Sequence, residues 1–355
     1  MARGAPPQVV RFCRSADGTR IAFAVHGTGP PLLLTTCWLS HLEFDWESPV
    51  WRHFLLDLGR LATVVRYDER GFGMSDWDVS DFGLPARVAD LEAVMDAAGL
   101  QRCALVGMSQ GGPVAIDYAV AHPERVSRLI LYGTYAGSKL DDESIELEEM
   151  FQQLIKVGWA RPDSTFRRVF TDLMIPNASP EQAGWLDALQ ARSTSTENAM
   201  RSRAARAEAD VTALLPEVDV PTLVIHARGD RMNDFADGRE LASRIPGARL
   251  LALDSDNHIT LADEAAWPVF VEEVAAFIAG DGIAVPSTPA ALRSLSSREL
   301  DVLRLVGHGR DNAEVARELS LSVRTVERHL TSIYAKLGLT GRSARAAAVA
   351  RLLTS

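Results

Sequence analysis

An apolar, strand-like run that passes into a helix through closely spaced glycines constrains this chain most. The run Cys103-Ala-Leu-Val-Gly107 is followed by Met108-Ser-Gln-Gly-Gly112 and then by a helical pattern that begins at Pro113. Glycine permits the tight turn between strand and helix, and the helix N-terminus favours developing negative charge. The segment therefore predicts an α/β fold that presents Ser109 as a nucleophile.

Seven further apolar runs predict the other strands of the same sheet. They alternate with helical patterns across residues 1–280, and runs such as LLL, ALVG and TLVIHA are typical of central parallel strands covered on both faces. The expected fold class is α/β, with a mostly parallel eight-stranded sheet. The predicted strands are Val9–Cys13, Arg20–Val25, Pro31–Thr36, Ala62–Tyr67, Cys103–Gly107, Ser127–Leu131, Thr222–Ala227 and Arg249–Leu253.

Three segments beyond the serine turn make residues Val9 to Ala279 resemble the α/β-hydrolase fold. Tyr67–Asp76, with the sequence YDERGFGMSD, is similar to the family's DxRGxGxS turn after strand four. Pro221–Asp230 is similar to its acid-bearing strand and loop, and a histidine follows the eighth strand in the segment DNHIT.

The resemblance implies a catalytic triad in the chain order Ser, Asp, His. Ser109 would be the nucleophile, His258 the base that takes its proton, and Asp230 the acid that holds the imidazolium. Taken singly, His258 could be a surface-loop histidine and Asp230 a turn residue. Their joint occurrence in this order and spacing favours the triad.

The same resemblance implies an oxyanion hole built from the backbone N–H groups of Trp38 and Gln110. Family members commonly carry His-Gly before the first of these donors, whereas this chain has Thr36-Cys37. A cysteine restricts positive φ where glycine does not, and a misplaced donor costs about 3 kcal/mol of transition-state stabilisation. We therefore expect slow turnover, or binding without turnover.

A long segment at about residues 134–215, between the sixth and seventh predicted strands, is where an α/β-hydrolase carries its cap. Its apolar residues recur at helical spacing, so most should bury the cap's own faces. With the loop from Trp38 to Trp51, some should roof an apolar cavity above Ser109. The expected ligand is small and apolar: an ester, a lactone or another carbonyl compound. The predicted pocket residues are Cys37, Trp38, His41, Trp159 and Phe170.

Three short helical patterns follow from Leu295 onward. Asp311 with Glu314, and further on Ser322, mark the starts of the second and third helices. The third helix has an apolar stripe that can be buried only against the first two. That stripe is Val326, Leu330, Ile333 and Leu337.

The segment from Leu295 to about Leu353 resembles the LuxR-type helix-turn-helix. The residues that carry the likeness include Arg298, Glu299, Val302, Leu303, Gly309, Asn312, Glu314, Ala316, Leu319, Leu321, Ser322, Thr325, Val326, His329, Ile333, Lys336, Leu337 and Arg342. The resemblance implies that the third helix enters the major groove of DNA. Base contacts would come from Glu327, Arg328 and Thr331, and phosphate contacts from Arg324, Thr325 and Lys336. The alternative is a set of three solvated helices that binds protein.

Charge is distributed unevenly along the chain. From residue 286 onward there are 11 Lys and Arg against 6 Asp and Glu, a local charge of +5. Since the net charge of the whole chain is −10, the preceding residues carry a charge of −15. A basic terminal segment beside an acidic body is typical of a DNA-binding domain attached to a separate domain. We predict a ligand-sensing domain at 1–280, a Gly/Pro/Ser-rich linker at 281–294 and a DNA-binding domain at 295–355.

Several classes of protein are disfavoured. No apolar run approaches the ~20 residues that span a bilayer, and the first residues lack a signal-peptide pattern, so we expect a cytoplasmic protein without a membrane partner. The three cysteines, Cys13, Cys37 and Cys103, have neither metal-ligand nor CxxC spacing. We therefore expect no disulfide scaffold, no metal and no cofactor.

Three hypotheses for function remain. The first is a homodimeric transcription regulator that binds double-stranded promoter DNA and whose hydrolase-like domain senses a small ligand, with or without hydrolysing it. The second is a serine hydrolase of esterase or lactonase type with an accessory DNA-binding or dimerisation tail. The third is a scaffold with a vestigial triad and a protein-binding tail.

Overall fold

The computed structural model describes residues 8–35, 37–137, 142–163, 165–280, 295, 297–307, 310–319, 321–337, 339 and 344–353. The chain divides into two compact units at residue 282. The linker predicted at 281–294 lies outside the described residues, as does Thr36 of the oxyanion loop.

Eight strands of the described chain form one sheet in the first unit. Their order is β1-β2-β4-β3-β5-β6-β7-β8; the β1–β2 and β2–β4 pairs are antiparallel and the other pairs are parallel. The mostly parallel α/β fold is therefore confirmed. The strands are β1 Val9–Arg14, β2 Arg20–Gly27, β3 Pro31–Thr35, β4 Thr63–Tyr67, β5 Cys103–Met108, β6 Val126–Tyr132, β7 Thr222–Ala227 and β8 Arg249–Leu253.

Helices cover both faces of this sheet. Alternate side chains of each central strand enter opposite cores: Leu32 lies in one cluster with residues of α2 and α10, and Leu33 in the other with residues of α3, α4 and α9. This is the two-residue period of a strand buried on both sides, and it explains why the central strands read as continuous apolar runs. The helices outside the cap are α1 Leu42–Trp46, α2 Arg52–Leu61, α3 Leu84–Ala97, α4 Gly111–Ala121, α9 Phe235–Arg244 and α10 Ala266–Ala279.

Four helices between β6 and β7 form the cap. They are α5 Asp142–Gly158, α6 Thr165–Met174, α7 Pro180–Ser193 and α8 Thr196–Glu208.

Hydrogen bonds to backbone carbonyls fasten the cap at two places. Gly73 donates its N–H to the Ser193 carbonyl at 2.7 Å, and the Thr194 hydroxyl donates to the Gly71 carbonyl at 2.7 Å. On the other side, the His258 N–H donates to the Met174 carbonyl at 2.8 Å. The cap therefore contacts both the turn after β4 and the loop after β8.

The second unit is a small helical domain with its own core. The predicted stripe on α13 is buried against the other helices through residues such as Val302 and Val315. Asp311 and Glu314 form the predicted capping box, and the Ser322 side chain accepts from the Thr325 N–H, so both predicted helix starts are confirmed. The helices are α11 Ser297–Gly307, α12 Asn312–Glu318, α13 Val323–Lys336 and α14 Ala344–Leu353. Among all the helices described here, none combines the length and apolar character that a membrane span requires.

Candidate active site and DNA-binding surface

Ser109 lies at the sharp turn between β5 and α4. Its φ of 51° is the left-handed conformation, which a side chain other than glycine adopts only at a cost. Its N–H donates to the Tyr132 carbonyl at 3.0 Å, and its carbonyl accepts from the Thr134 hydroxyl. A Cβ on Gly107 would lie 2.8 Å from Ala115, and one on Gly112 would collide with Thr134. The small residues of GMSQGG are thus required by the close packing of strand and helix around the serine.

Asp230 and His258 lie in contact, after β7 and β8 respectively. His258 Nδ1 and Asp230 Oδ2 are 2.7 Å apart, and both side chains are buried. The backbone N–H groups of Met232 and Asn233 donate to the other Asp230 oxygen at 2.8 and 3.0 Å, which fixes the carboxylate. A Cβ on Gly133 would lie 3.1 Å from the His258 ring. Since Ser109 donates to Tyr132, the serine and the histidine lie against the same short turn.

The electrostatics of this pair favour a charged imidazolium beside a carboxylate. Burial alone would lower the pKa of His258, but the Asp230 carboxylate overrides it and raises that pKa to about 10. Burial would raise the pKa of Asp230, yet the charge and hydrogen bond of His258 hold it below its usual range. His258 Nε2 is buried and meets no partner with good hydrogen-bond geometry within the described part of the chain, and its side-chain neighbour there is the Cys37 thiol.

A buried network beneath Gln110 was not predicted from the sequence. The Gln110 side-chain amide donates to Glu69 at 2.6 Å, while Arg87 donates to Glu69 at 2.6 Å and to the Gln110 carbonyl at 2.9 Å. Burial raises the pKa of the Glu69 carboxyl, and the adjacent Arg87 opposes that rise. Both ends of Gln110 are thus fixed, and Gln110 is the residue whose N–H was predicted to stabilise an oxyanion. Glu69 lies in the YDERG motif, which was the only available signal.

Cys37 and Trp38 follow β3 close to the serine turn. The Thr35 hydroxyl donates to the Val106 and Gly111 carbonyls at 3.0 Å, which joins the end of β3 to the turn. The buried Cys37 thiol is close enough to His258 to help raise its pKa. Trp38 is 5% exposed, and its Nε1 has no hydrogen-bond partner among the described residues.

Four of the five predicted pocket residues lie together, and His41 lies apart from them. Cys37, Trp38, Trp159 and Phe170 belong to one buried cluster, in which the Trp38 ring is 5.4 Å from both Trp159 and Phe170. His41 instead caps α1 and contacts Phe44. The aromatic side chains pack largely on one another, so the predicted apolar roof above Ser109 stays a prediction.

The structure does contain a large cavity, of about 1220 Å³, but none of those five residues lines it. Its walls come from α5, α8 and the loop after β7, and they are rich in charged groups. The lining residues include Tyr135, Glu148, Phe151, Arg203, Arg206, Met232, Asn233 and Asp237.

In the second unit, α13 exposes five of the six predicted DNA contacts. Arg324, Glu327, Arg328, Thr331 and Lys336 are exposed. Thr325 is half-buried in the cap at Ser322. Lys336 donates to Glu299 at 2.7 Å, so its ammonium already has a partner within the domain.

Comparison with known proteins agrees with this architecture. A family model described as serine aminopeptidase, S33, matches residues 59–264, which is more than half of the chain. The chain belongs to this α/β-hydrolase family. A second model, described as bacterial regulatory proteins, luxR family, matches residues 293–349 of this α/β-hydrolase. Both resemblances drawn from the sequence are thereby confirmed. The hydrolase domain implies a small-molecule ligand, and the LuxR-type domain implies DNA binding.

Relatives of this α/β-hydrolase match its first unit. A 2-hydroxy-6-oxononadienedioate/2-hydroxy-6-oxononatrienedioate hydrolase of Paraburkholderia phymatum is 30% identical over 252 residues, covering 67% of this chain and 81% of its own. A putative carbamate hydrolase RutD of Pseudomonas savastanoi pv. phaseolicola is 25% identical over 258 residues, covering 66% and 88%. An esterase from Exiguobacterium antarcticum has a similar fold, with a TM-score of 0.65, 20% identity and coverage of 76% of this chain and all of that one.

Proposed function

We propose that this protein is a transcription regulator whose α/β-hydrolase domain senses a small carbonyl compound. The observation that carries the proposal is the coexistence of two sites in one chain. One contains Ser109 in its strained turn, near the bonded Asp230–His258 pair. The other is the helix α13, which exposes Arg324 and Arg328 on a LuxR-type domain.

In the sensing site, the residues present suit acyl chemistry or its first step. His258 Nε2 would accept the Ser109 proton, and Asp230 would hold the imidazolium through Nδ1. The Gln110 N–H, fixed by Glu69 and Arg87, would stabilise an oxyanion.

The second predicted oxyanion donor is the N–H of Trp38. Cys37 precedes it where family members commonly carry glycine, and we infer that this donor is displaced. The protein would then bind its ligand but hydrolyse it slowly.

Signalling requires that ligand occupancy favour one arrangement of two DNA-binding domains. A ligand shifts an equilibrium only by its difference in affinity for the two states. LuxR-type domains read two half-sites as dimers, so we propose that the regulator acts as a homodimer on promoter DNA.

A fluorophosphonate adduct tests the coupling directly. The reagent phosphonylates an activated serine, so it fills the site irreversibly at Ser109. We expect labelled protein to bind the DNA upstream of its own gene with an affinity changed by roughly 5–150-fold, the range of typical allosteric coupling. Ser109→Ala protein treated identically is the control, and its DNA affinity should not change.

Two outcomes would reject parts of the proposal. Full labelling of Ser109 without any change in DNA affinity would leave a hydrolase with an accessory tail. Failure of the untreated protein to bind that DNA, or any other sequence more tightly than random DNA, would remove the regulator function altogether.

A further inference from the structure

Two arginines of the cap, Arg203 and Arg206, lie one helical turn apart on α8 and point into the hydrolase unit. Arg203 is 4% exposed; its guanidinium lies 4.3 Å from the centre of the Phe151 ring and 5.5 Å from that of Trp38. Arg206 donates to the Tyr135 hydroxyl and to Asn233 Oδ1, both at 2.9 Å. Both arginines line the 1220 Å³ cavity.

The Glu148 carboxylate stabilises the charge of both arginines. Arg203 forms an ion pair with Glu148 at 2.8 Å, whereas the side-chain hydrogen-bond partners found for Arg206 in the described chain are neutral. Burial and then repulsion from Arg206 lower the pKa of Arg203 to about 10. Arg203 is buried and Arg206 is half-buried, so a further anion beside them would offset the cost of holding two cations out of water.

Unused donors lie beside the same arginines. Arg203 Nε and Trp38 Nε1 are buried without hydrogen-bond partners among the described residues, and both groups can only donate. Buried donors are normally satisfied, so these two point to an acceptor that the polypeptide does not supply.

This pair of arginines adjoins the candidate active site. Trp38 is the predicted oxyanion residue, and its ring lies under Arg203. The Cys37 thiol is within electrostatic reach of both Arg206 and His258. A ligand held by Arg203 would therefore lie beside a residue of the predicted oxyanion hole.

We propose that Arg203 and Arg206 form an anion subsite beside Trp38, so that the ligand is a carbonyl compound bearing a carboxylate in addition to the reacting carbonyl. The subsite rests on the proposed sensing function and narrows its ligand from an apolar carbonyl compound to an oxo-acid, a monoester of a diacid or a lactone acid. Carboxylates also line the cavity, among them Glu146 and Glu149 on α5. These carboxylates repel anions, and the repulsion grows with the charge of the ligand. The subsite should therefore favour a ligand with a single negative charge.

The test compares monomethyl glutarate with dimethyl glutarate, which have nearly the same shape and differ by one charge. Binding is measured by calorimetry on the full chain carrying Ser109→Ala, so that turnover cannot interfere. We expect the monoanion to bind at least tenfold more tightly, equivalent to about 1.4 kcal/mol. Arg203→Met added to this background should abolish the preference. Because Arg203→Met leaves the half-buried Glu148 without its ion-pair partner, the pair Arg203→Met with Glu148→Gln is tested as well and should lose the preference equally.

Arg201→Gln is the matched control. It lies on the same helix, its side chain is 39% exposed, and it donates to the Val79 carbonyl outside the cavity. It should keep the preference. Equal affinity for the two compounds, no binding of either, or a preference that survives both Arg203 variants would overturn the subsite. Because the assay reads neither serine labelling nor DNA binding, its result is independent of the experiments that test the proposed function.

Discussion

Replacing Ser109 with glycine should stabilise the hydrolase unit relative to replacing it with alanine. The two variants both lack the hydroxyl, so any lost contact of Oγ cancels between them. They differ in the Cβ atom, which at a φ of 51° is held in the left-handed region. The comparison therefore isolates the backbone strain stored at the nucleophile.

The magnitude follows from two opposing contributions. A left-handed backbone costs an L-residue about 1–2 kcal/mol. Glycine, in turn, gives the unfolded chain more freedom, which costs about 0.4–1 kcal/mol of stability. We expect the free energy of unfolding of Ser109→Gly to exceed that of Ser109→Ala by about 0.5–1 kcal/mol. Gly99→Ala reverses the change, because Gly99 has a φ of 72° and no atom within 4 Å of an added Cβ. It should lose a similar amount.

Urea unfolding followed by tryptophan fluorescence measures these differences in the intact chain. All seven tryptophans, the last of which is Trp267, lie in the hydrolase unit, so the signal reports that unit alone. The midpoints are compared at a common slope. If Ser109→Gly is no more stable than Ser109→Ala while Gly99→Ala is destabilised, the turn stores no strain and the reasoning fails.

Three further predictions concern charged groups. Asp230→Asn should lower the pKa of His258. The wild type should therefore have the larger free energy of unfolding, with the full difference present below pH 6.5 and lost as the pH rises through about 10. Unfolding curves of both proteins between pH 6 and 10 check the sign. Arg328→Ala should weaken specific DNA binding by ~1–3 kcal/mol if it reads a base edge, whereas equal loss on random DNA would make it a phosphate contact. Lys336→Met should leave the salt dependence of DNA binding unchanged because Glu299 already holds the ammonium; a slope reduced by about 0.9 would instead show a phosphate contact.

The fold was predictable because local patterns and global packing agree. Each central strand is a continuous apolar run since both of its faces are buried, and Gly107 and Gly112 are glycines because a Cβ has no room there. The chain order of Ser109, Asp230 and His258 predicted an acid–base pair that the fold does bring into contact. Apolar runs, glycine positions and the order of site residues can all be identified from the sequence alone.

Contacts between distant segments were not predictable in the same way. Glu69 and Gln110 come into contact only because the ends of two strands lie close together, and their separation along the sequence does not predict the contact. On α8, Arg203 and Arg206 belong to a strongly polar stretch that is typical of a solvated face. The burial of Arg203 depends on Phe151 of another cap helix, which periodicity within α8 cannot indicate. The charged lining of the cavity was missed for that reason.

Two hydrogen bonds join Met174, the last residue of α6 in the cap, to the loop that carries His258. The Met174 carbonyl accepts from the N–H groups of both His258 and Ile259, at 2.8 and 3.3 Å. An outward movement of α6 would break both bonds and remove one support of the loop that carries the imidazole. If release needs such an opening, the passage between the two states would set how long a bound molecule stays. A long stay limits turnover, but it lengthens the time during which the attached DNA-binding domain can act on the same binding event.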